Sequence, residues 1–130
     1  MPDRAKLQAT IILVEDDEDL GRLVGHHLEM AGFTTRWFRT ASGVIAEAES
    51  QPPALFLLDL MLPGVDGFQL CRTIRKHGML RTLPIIALTA SAGRGDRDLA
   101  FESGADDYVT KPFSPVDLIS RVRALCERRF

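Results

Sequence analysis

The sequence has little of what marks a disulfide-stabilised, thiolate-metal or membrane protein. Its only cysteines, Cys71 and Cys126, form neither a disulfide framework nor a C-x-x-C motif, and the 3 histidines complete no metal-ligand pattern with them. No apolar run approaches the roughly 18 residues that a bilayer requires, and residues 1–8 lack the apolar stretch of a secretory signal. We therefore expect a cytoplasmic, reducing setting and no membrane partner.

An excess of one charge sign is also missing. The 16 Lys and Arg residues nearly balance the 18 Asp and Glu residues, which leaves a net charge of −2. Composition alone therefore gives no reason to expect bulk electrostatic binding to nucleic acid or membranes. Disordered chains have fewer hydrophobic residues than the 45% found here and a larger net charge, so we expect a folded protein. We expect an N-terminal extension at residues 1–9 and one domain at residues 10–130.

Short apolar runs alternate five times with segments of helical period. The predicted strands cover residues 10–14, 34–38, 55–58, 84–88 and 107–110. The first predicted helix follows Asp17, which caps it. The next three cover residues 41–49, 68–77 and about 96–103. The last starts at Pro115, with Ser114 as its cap. This (βα)₅ order predicts an α/β fold with a doubly wound, five-stranded parallel sheet.

Unusual polar residues stand where the predicted strands end. Glu15 and Asp16 follow the first strand, and Asp59 closes the third. Thr89 ends the fourth strand, and Lys111 follows the fifth. Because ligands of such sheets bind at the carboxyl ends of the strands, we expect these five side chains to share one site.

Three carboxylates at one sheet edge repel each other unless a cation or shifted pKa values relieve them. Since no cysteine or histidine accompanies them, the donors are all oxygen, which favours Mg²⁺, with Mn²⁺ as the alternative, over Zn²⁺. A carboxylate at the end of a buried strand can act as a nucleophile and form an aspartyl-phosphate at Asp59. A lysine and a threonine hydroxyl can hold the other phosphoryl oxygens.

The sequence resembles the receiver domains of response regulators, which have a CheY-like, flavodoxin-type fold with strand order 2-1-3-4-5. The resemblance runs from about Thr10 to Arg128. It is carried by residues 11–17 (IILVEDD), 57–64 (LLDLMLPG) with Asp66-Gly67, 88–90 (LTA) and 104–113 (GADDYVTKPF). Each stretch alone is a weak or moderate signal, but their order and spacing together are highly specific.

The resemblance implies a role for each matching position of the metal and phosphoacceptor site. Asp59 matches the phosphorylated aspartate, and Asp16 matches the carboxylate that binds Mg²⁺ directly. Glu15 matches the acid that holds the metal through water, where Asp is the commoner residue. Met61 matches the residue whose backbone carbonyl is a metal ligand.

The remaining matches concern the phosphoryl group and the response to it. Thr89 and Lys111 match the hydroxyl and the ammonium group that bind the phosphoryl oxygens. Tyr108 matches the aromatic switch residue that turns inward when the threonine is drawn to the phosphate. The family's activity is then implied: a sensor histidine kinase phosphorylates Asp59, and the domain assists its own phosphorylation and dephosphorylation without being an enzyme for a separate substrate.

Charges in the last third of the chain give a closer match, to receivers of the OmpR/PhoB type. This resemblance implies a phosphorylation-driven homodimer through the fourth helix, fifth strand and fifth helix, and an output in transcription regulation. DNA would be contacted only through a C-terminal domain that is not part of this sequence, which is then either truncated or a stand-alone receiver. The candidate dimer-face residues are Arg97, Asp106, Asp107, Asp117, Arg121 and Arg128.

Two positions suggest how long the phosphoryl group persists. Met61, two residues past Asp59, and Ser91, two past Thr89, are expected to flank it. Neither is an acid or an amide suited to orienting an attacking water molecule. We therefore expect slow self-dephosphorylation.

Three other functions fit parts of the pattern. A haloacid-dehalogenase-type phosphatase needs Asp-x-Asp, which Asp59-Leu60-Met61 lacks. A pseudo-receiver that never takes phosphate predicts a broken pocket, and a flavodoxin-like carrier needs a Ser/Thr/Gly-rich loop where residues 15–17 would repel phosphate. Trp37 and the two cysteines are expected to be packing residues.

Overall fold

The computed structural model describes residues 9–61, 67–90 and 93–127, where strands and helices alternate along the chain. The strands are β1 (Thr10–Val14), β2 (Thr34–Phe38), β3 (Leu55–Asp59), β4 (Ile85–Thr89) and β5 (Asp107–Thr110). The helices are α1 (Glu18–Met30), α2 (Val44–Ser50), α3 (Gly67–Lys76), α4 (Arg94–Ser103) and α5 (Pro115–Glu127). The predicted fivefold alternation of strand and helix is confirmed.

The five strands form one parallel sheet in the order β2-β1-β3-β4-β5. This confirms the doubly wound α/β fold and the order 2-1-3-4-5. The strand order reverses between β1 and β3, so the carboxyl ends of these two central strands are neighbours. That edge is where such sheets place their ligands.

The core has two layers because both faces of the sheet are covered. Side chains of β1 and β3 alternate between the faces: Ile12 and Phe56 pack on the side of α2, α3 and α4, whereas Ile11 and Leu57 pack on the side of α1 and α5. All of β3 is buried, which explains why its sequence is apolar up to Asp59. Cys71 and Cys126 are free and buried, as expected for packing residues.

The ends of the helices follow the predicted caps in most places. Asp17 Oδ1 accepts the Leu20 N–H over 2.9 Å at the start of α1. Ser114 Oγ accepts the Asp117 N–H over 3.3 Å at the start of α5, where Pro115 is the first helical residue.

Three helices begin elsewhere than predicted. Helix α3 starts at Gly67, one residue before the predicted position. Helix α2 starts at Val44 rather than at residue 41, because Gly43 at its N-terminus has a φ of +82°, outside the right-handed helical region. Helix α4 starts at Arg94, two residues before the predicted position, and ends at Ser103, before Gly104 with its φ of +120°. No helix within residues 9–61, 67–90 and 93–127 is long and apolar enough to cross a membrane.

Gly67 should be intolerant of a side chain because α3 starts directly against the end of β3. A Cβ at this position would lie 2.5 Å from Leu60 Cα and 2.7 Å from Asp59 O. We expect Gly67→Ala to lower the free energy of unfolding by about 1–3 kcal/mol, as overpacking does. Urea unfolding monitored by circular dichroism measures the loss.

Gly78→Ala is the matched control, since nothing lies within 4 Å of a Cβ at that position. It should leave the urea midpoint nearly unchanged. Equal midpoints for the two variants would contradict the close approach of α3 to β3.

Candidate functional site

The carboxyl ends of β1, β3 and β5 bring one ammonium group to two buried carboxylates. Lys111 Nζ lies 3.0 Å from Glu15 Oε1 and 3.1 Å from Asp59 Oδ2. Glu15 is 0% exposed and Asp59 is 2% exposed, whereas the Lys111 side chain keeps 20% of its surface in contact with solvent. Three residues that are distant in sequence therefore form one ionic cluster at the predicted sheet edge.

The backbone around Asp59 and Lys111 is held by the sheet. Asp59 is the last residue of β3, and its Oδ1 accepts the Met61 N–H over 2.9 Å. The Lys111 N–H donates to Thr89 O over 2.8 Å, which continues the β4–β5 pairing by one residue. Both charged side chains thus leave from restrained positions, so the ionic contact requires little ordering of the backbone.

Glu15 is a buried acid with a hydrogen bond to only one of its two carboxylate oxygens. Its Oε2 accepts the Asp17 N–H over 3.1 Å, while Oε1 has only the ionic contact with Lys111 and no well-aligned hydrogen bond. Burial raises the pKa of Glu15 to about 7; contacts with Lys111 and the Asp17 amide oppose burial, and the charge of Asp59 acts with it. A cation at this carboxylate would relieve both the burial cost and the repulsion.

Lys111 remains protonated in spite of its partial burial. Burial by itself lowers the pKa of the ammonium group, but the contacts with Glu15 and Asp59 outweigh it, and the net pKa lies above its ordinary value. At neutral pH the cluster therefore contains one positive charge.

Asp16 adds a third carboxylate to the cluster. One oxygen each from Glu15, Asp16 and Asp59 lie within 4.8 Å of one another. An all-oxygen set of three carboxylates, one with an oxygen that lacks a well-aligned donor, suits a hard divalent cation such as Mg²⁺. The residues present therefore fit the predicted metal.

Thr89 and Tyr108 lie on the neighbouring strands. Thr89 ends β4, is 1% exposed, and pairs with Thr110, the residue before Lys111. Tyr108 is half-buried in β5, packs against the core on the α2–α4 side, and has its ring centroid 6.4 Å from that of Phe101. Strand pairing therefore brings Thr89 to the sheet edge that carries the carboxylates.

The candidate dimer-face charges form pairs within the chain. Arg121 Nη1 lies 2.8 Å from Asp107 Oδ1, and Arg121 Nε lies 2.9 Å from Asp117 Oδ2. Asp106 instead pairs with Arg75 of α3 over 2.8 Å.

Four further residues were predicted to belong to the site or to the dimer face. Arg97 is exposed on α4, and the Met61 side chain is exposed beside Asp59. Arg128 and Ser91 lie outside the described residues, so their predicted roles stay predictions.

Sequence reasoning missed the support that the acidic turn receives from β2. Trp37, expected only to pack, donates its Nε1–H to Glu15 O over 2.9 Å, and Arg39 Nη2 donates to Asp16 O over 3.0 Å. The sequence shows only that Trp37 and Arg39 carry N–H donors near the end of the second strand. These donors can be assigned to the acidic turn only when the pairing of β2 with β1 is known.

Removing Lys111 should destabilise the protein because two buried carboxylates would lose their cation. In metal-free buffer with EDTA, we expect Lys111→Met to lower the free energy of unfolding by roughly 2–4 kcal/mol, less than for a fully buried pair because the lysine is partly exposed. Lys76→Met, at an exposed position of α3, is the control. Urea midpoints that fall equally for both variants would show that the ionic cluster contributes nothing.

Comparison with known proteins gives the family. The response regulator receiver domain model matches residues 11–123. The transcriptional regulatory protein GltR of Pseudomonas aeruginosa is 44% identical over 119 residues, which are 92% of this chain and 49% of that protein. The phosphate regulon transcriptional regulatory protein PhoB of Rhizobium meliloti is 41% identical over 118 residues, 91% of this chain and 52% of that protein.

A solved structure of a receiver domain is also similar to this chain. The receiver domain of the sensor histidine kinase PA1611 from Pseudomonas aeruginosa, with a magnesium ion coordinated in its active-site cleft, superposes with a TM-score of 0.85 and 32% identity, covering 92% of this chain and 98% of that one. The chain spans about half the length of the curated relatives it matches. It belongs to the response regulator receiver domain family, and its relatives are transcriptional regulators of the OmpR/PhoB type of two-component systems.

Proposed function

We propose that Asp59 accepts a phosphoryl group from the phosphohistidine of a sensor histidine kinase, and that this modification changes the surface formed by α4, β5 and α5. The observation that carries the proposal is the contact of Lys111 with both Asp59 and Glu15, beside a third carboxylate. This arrangement supplies a nucleophile, a fixed positive charge and a set of metal ligands in one place.

The transfer exchanges one bond to phosphorus for another and takes one proton from solvent. A carboxylate oxygen of Asp59 forms a bond to phosphorus while the bond from phosphorus to the imidazole nitrogen breaks. The electron pair goes to the imidazole, which takes a proton from solvent and leaves as neutral histidine. The product is an acyl phosphate on Asp59, and Lys111 is placed to bind one of its phosphoryl oxygens.

Asp16, Asp59, the Met61 carbonyl and, through water, Glu15 are the residues that would hold Mg²⁺, with Mn²⁺ as the alternative. When bound, the metal offsets the negative charge of the carboxylates and of the transferred group. The magnesium ion in the similar PA1611 receiver domain supports this assignment. The carboxylate cluster supports it independently.

The response should start from Thr89 and Lys111. The Thr89 hydroxyl, at the end of the adjacent strand, is expected to bind another phosphoryl oxygen, and Tyr108 to turn toward the space that the threonine leaves. Since Lys111 follows β5 and precedes α5, a change in its partners reaches both elements. The shift in population is limited by the difference in free energy between the two states.

The protein would act on its own phosphorylation state and not on a separate substrate. A phosphatase of the Asp-x-Asp type needs a second acid two residues after the nucleophile, and Met61 occupies that position with an exposed side chain. A pseudo-receiver is disfavoured because the acids, the lysine and the threonine all stand at the same sheet edge.

The relatives support transcription regulation as the output of the phosphorylated protein. Because those relatives are transcriptional regulators about twice as long as this chain, DNA contact would belong to a C-terminal domain. Phosphorylation would favour a homodimer through α4, β5 and α5. In that dimer the pairs that Arg121 makes with Asp107 and Asp117 within one chain would be exchanged across a two-fold axis.

Acetyl phosphate with Mg²⁺ should add one phosphoryl group, detected by intact-mass measurement. Asp59→Asn or EDTA should abolish the addition, because the nucleophile or the metal is then missing. Asp19→Asn, at an exposed position of α1, should be modified like the unaltered chain. An unmodified wild-type chain at saturating Mg²⁺ would refute the phosphoacceptor proposal.

Beryllofluoride, a mimic of the phosphoryl group, should convert the monomer to a dimer in gel filtration with light scattering at micromolar concentration. Arg121→Glu should reduce dimer formation at least tenfold, since it places like charges opposite Asp107 and Asp117. Arg22→Glu, exposed on α1, is the charge-matched control. A monomer that persists with beryllofluoride would remove the dimer and leave the phosphoacceptor site intact.

Met61→Asn should shorten the lifetime of the phosphoryl group, because an amide two residues from Asp59 can orient the attacking water. Radiolabel loss after removal of the phosphodonor measures the rate. Met79→Asn, similarly exposed but outside the site, controls for the change in polarity. A rate for Met61→Asn that is unchanged or slower would count against the predicted slow self-dephosphorylation.

A further inference from the structure

The acidic turn after β1 is held from the side by the end of β2. The Glu15 N–H donates to Phe38 O over 3.0 Å, and Trp37 Nε1 donates to Glu15 O over 2.9 Å. The Arg39 guanidinium donates from Nη2 to Asp16 O over 3.0 Å. Both main-chain carbonyls of the two candidate metal ligands therefore accept a side-chain hydrogen bond from the same neighbouring segment.

The indole of Trp37 can reach Glu15 because residue 21 has no side chain. A Cβ at Gly21, in the first turns of α1, would overlap the six-membered ring and Nε1 of the indole. One turn later, a Cβ at Gly25 would make only an ordinary contact of 3.9 Å with Thr35 Cγ2. The absence of a side chain at position 21 is therefore matched to the tryptophan.

We propose that Trp37 is a positioning residue for the metal-binding carboxylates of Glu15 and Asp16, with Gly21 as the space that its indole requires and Arg39 as a second donor. The proposal rests on the proposed function, because that function makes Glu15 and Asp16 the metal ligands.

The physical reason is the direction of the peptide groups. A hydrogen bond to Glu15 O sets the plane of the peptide that joins Glu15 to Asp16, and with it the direction in which both side chains leave the backbone. Without this restraint the turn samples more orientations, and only a fraction of them presents both carboxylates to one ion. Loss of one neutral hydrogen bond corresponds to about a 2- to 12-fold change in affinity.

Trp37→Phe separates this role from simple packing, because phenylalanine keeps an aromatic ring and lacks the donor. Titration calorimetry with Mg²⁺ alone should show a dissociation constant about 2- to 12-fold higher for Trp37→Phe. Gly21→Ala should give a similar loss by displacing the indole. The double variant should be no weaker than the more affected single variant, because both changes remove the same contact.

Two further variants keep the test independent of folding. Gly25→Ala, on the same helix, should bind Mg²⁺ within about twofold of wild type, as its added methyl group meets no obstacle. Arg39→Met removes the second donor at an exposed position and should weaken Mg²⁺ binding even if Trp37→Phe proves unstable. Because Trp37 is the only tryptophan, its emission should change with Mg²⁺ in wild type and change less in Gly21→Ala.

The Mg²⁺ dependence of phosphorylation by acetyl phosphate provides the last readout. Trp37→Phe should raise the half-saturating Mg²⁺ concentration by the factor seen in calorimetry, while the rate at saturating Mg²⁺ stays within about twofold. Wild-type Mg²⁺ affinity in Trp37→Phe, or a lower saturating rate at an unchanged half-saturation, would overturn the positioning role.

The outcomes for wild type keep this inference separate from the proposed function. Mg²⁺ binding without phosphoryl uptake would defeat the phosphoacceptor proposal, while the calorimetric comparison of the variants would still decide the role of Trp37. Phosphoryl uptake by wild type, together with equal Mg²⁺ affinity in Trp37→Phe, would defeat the positioning role alone. A wild-type chain that binds no Mg²⁺ would defeat both.

Discussion

One ammonium group between two buried carboxylates is the interaction on which the site depends. Removing Glu15 and Asp59 from water is costly unless a cation stays within ionic distance, and Lys111 is that cation in the described residues. The contact is possible because the carboxyl ends of β1, β3 and β5 are brought to one edge by the order β2-β1-β3-β4-β5. The ionic contact of the site therefore depends directly on the order of the strands in the sheet.

The negative charge of the cluster is also incompletely neutralised, so the cluster can accept a further cation. Three carboxylates face one lysine, and Glu15 Oε1 has no well-aligned donor. A divalent cation or a change in the charge at Asp59 would alter the balance and the partners of Lys111. Converting a 1:99 population of two states to 99:1 takes roughly 5.5 kcal/mol, which is more than the loss of one buried ionic contact supplies by itself.

The support of the acidic turn differs in kind from the site itself. The acids, the threonine and the lysine lie in stretches that resemble the receiver family, and the roles proposed for them rest on that resemblance. Trp37, Gly21 and Arg39 lie outside those stretches, and the role proposed for them rests on contacts that the structure shows with the acidic turn.

The sequence alone determined the (βα)₅ order, the bounds of β1, β2 and β5, and the group of polar residues at the strand ends, because hydrophobic period and strand-end chemistry are local properties. It misplaced the start of α2, since the positive φ of Gly43 cannot be read from an apolar period. Only the tertiary structure decided that Trp37 bonds to Glu15 and that Asp106 pairs with Arg75. Those contacts join residues distant along the chain, and they exist only after strand order and helix packing bring the partners together.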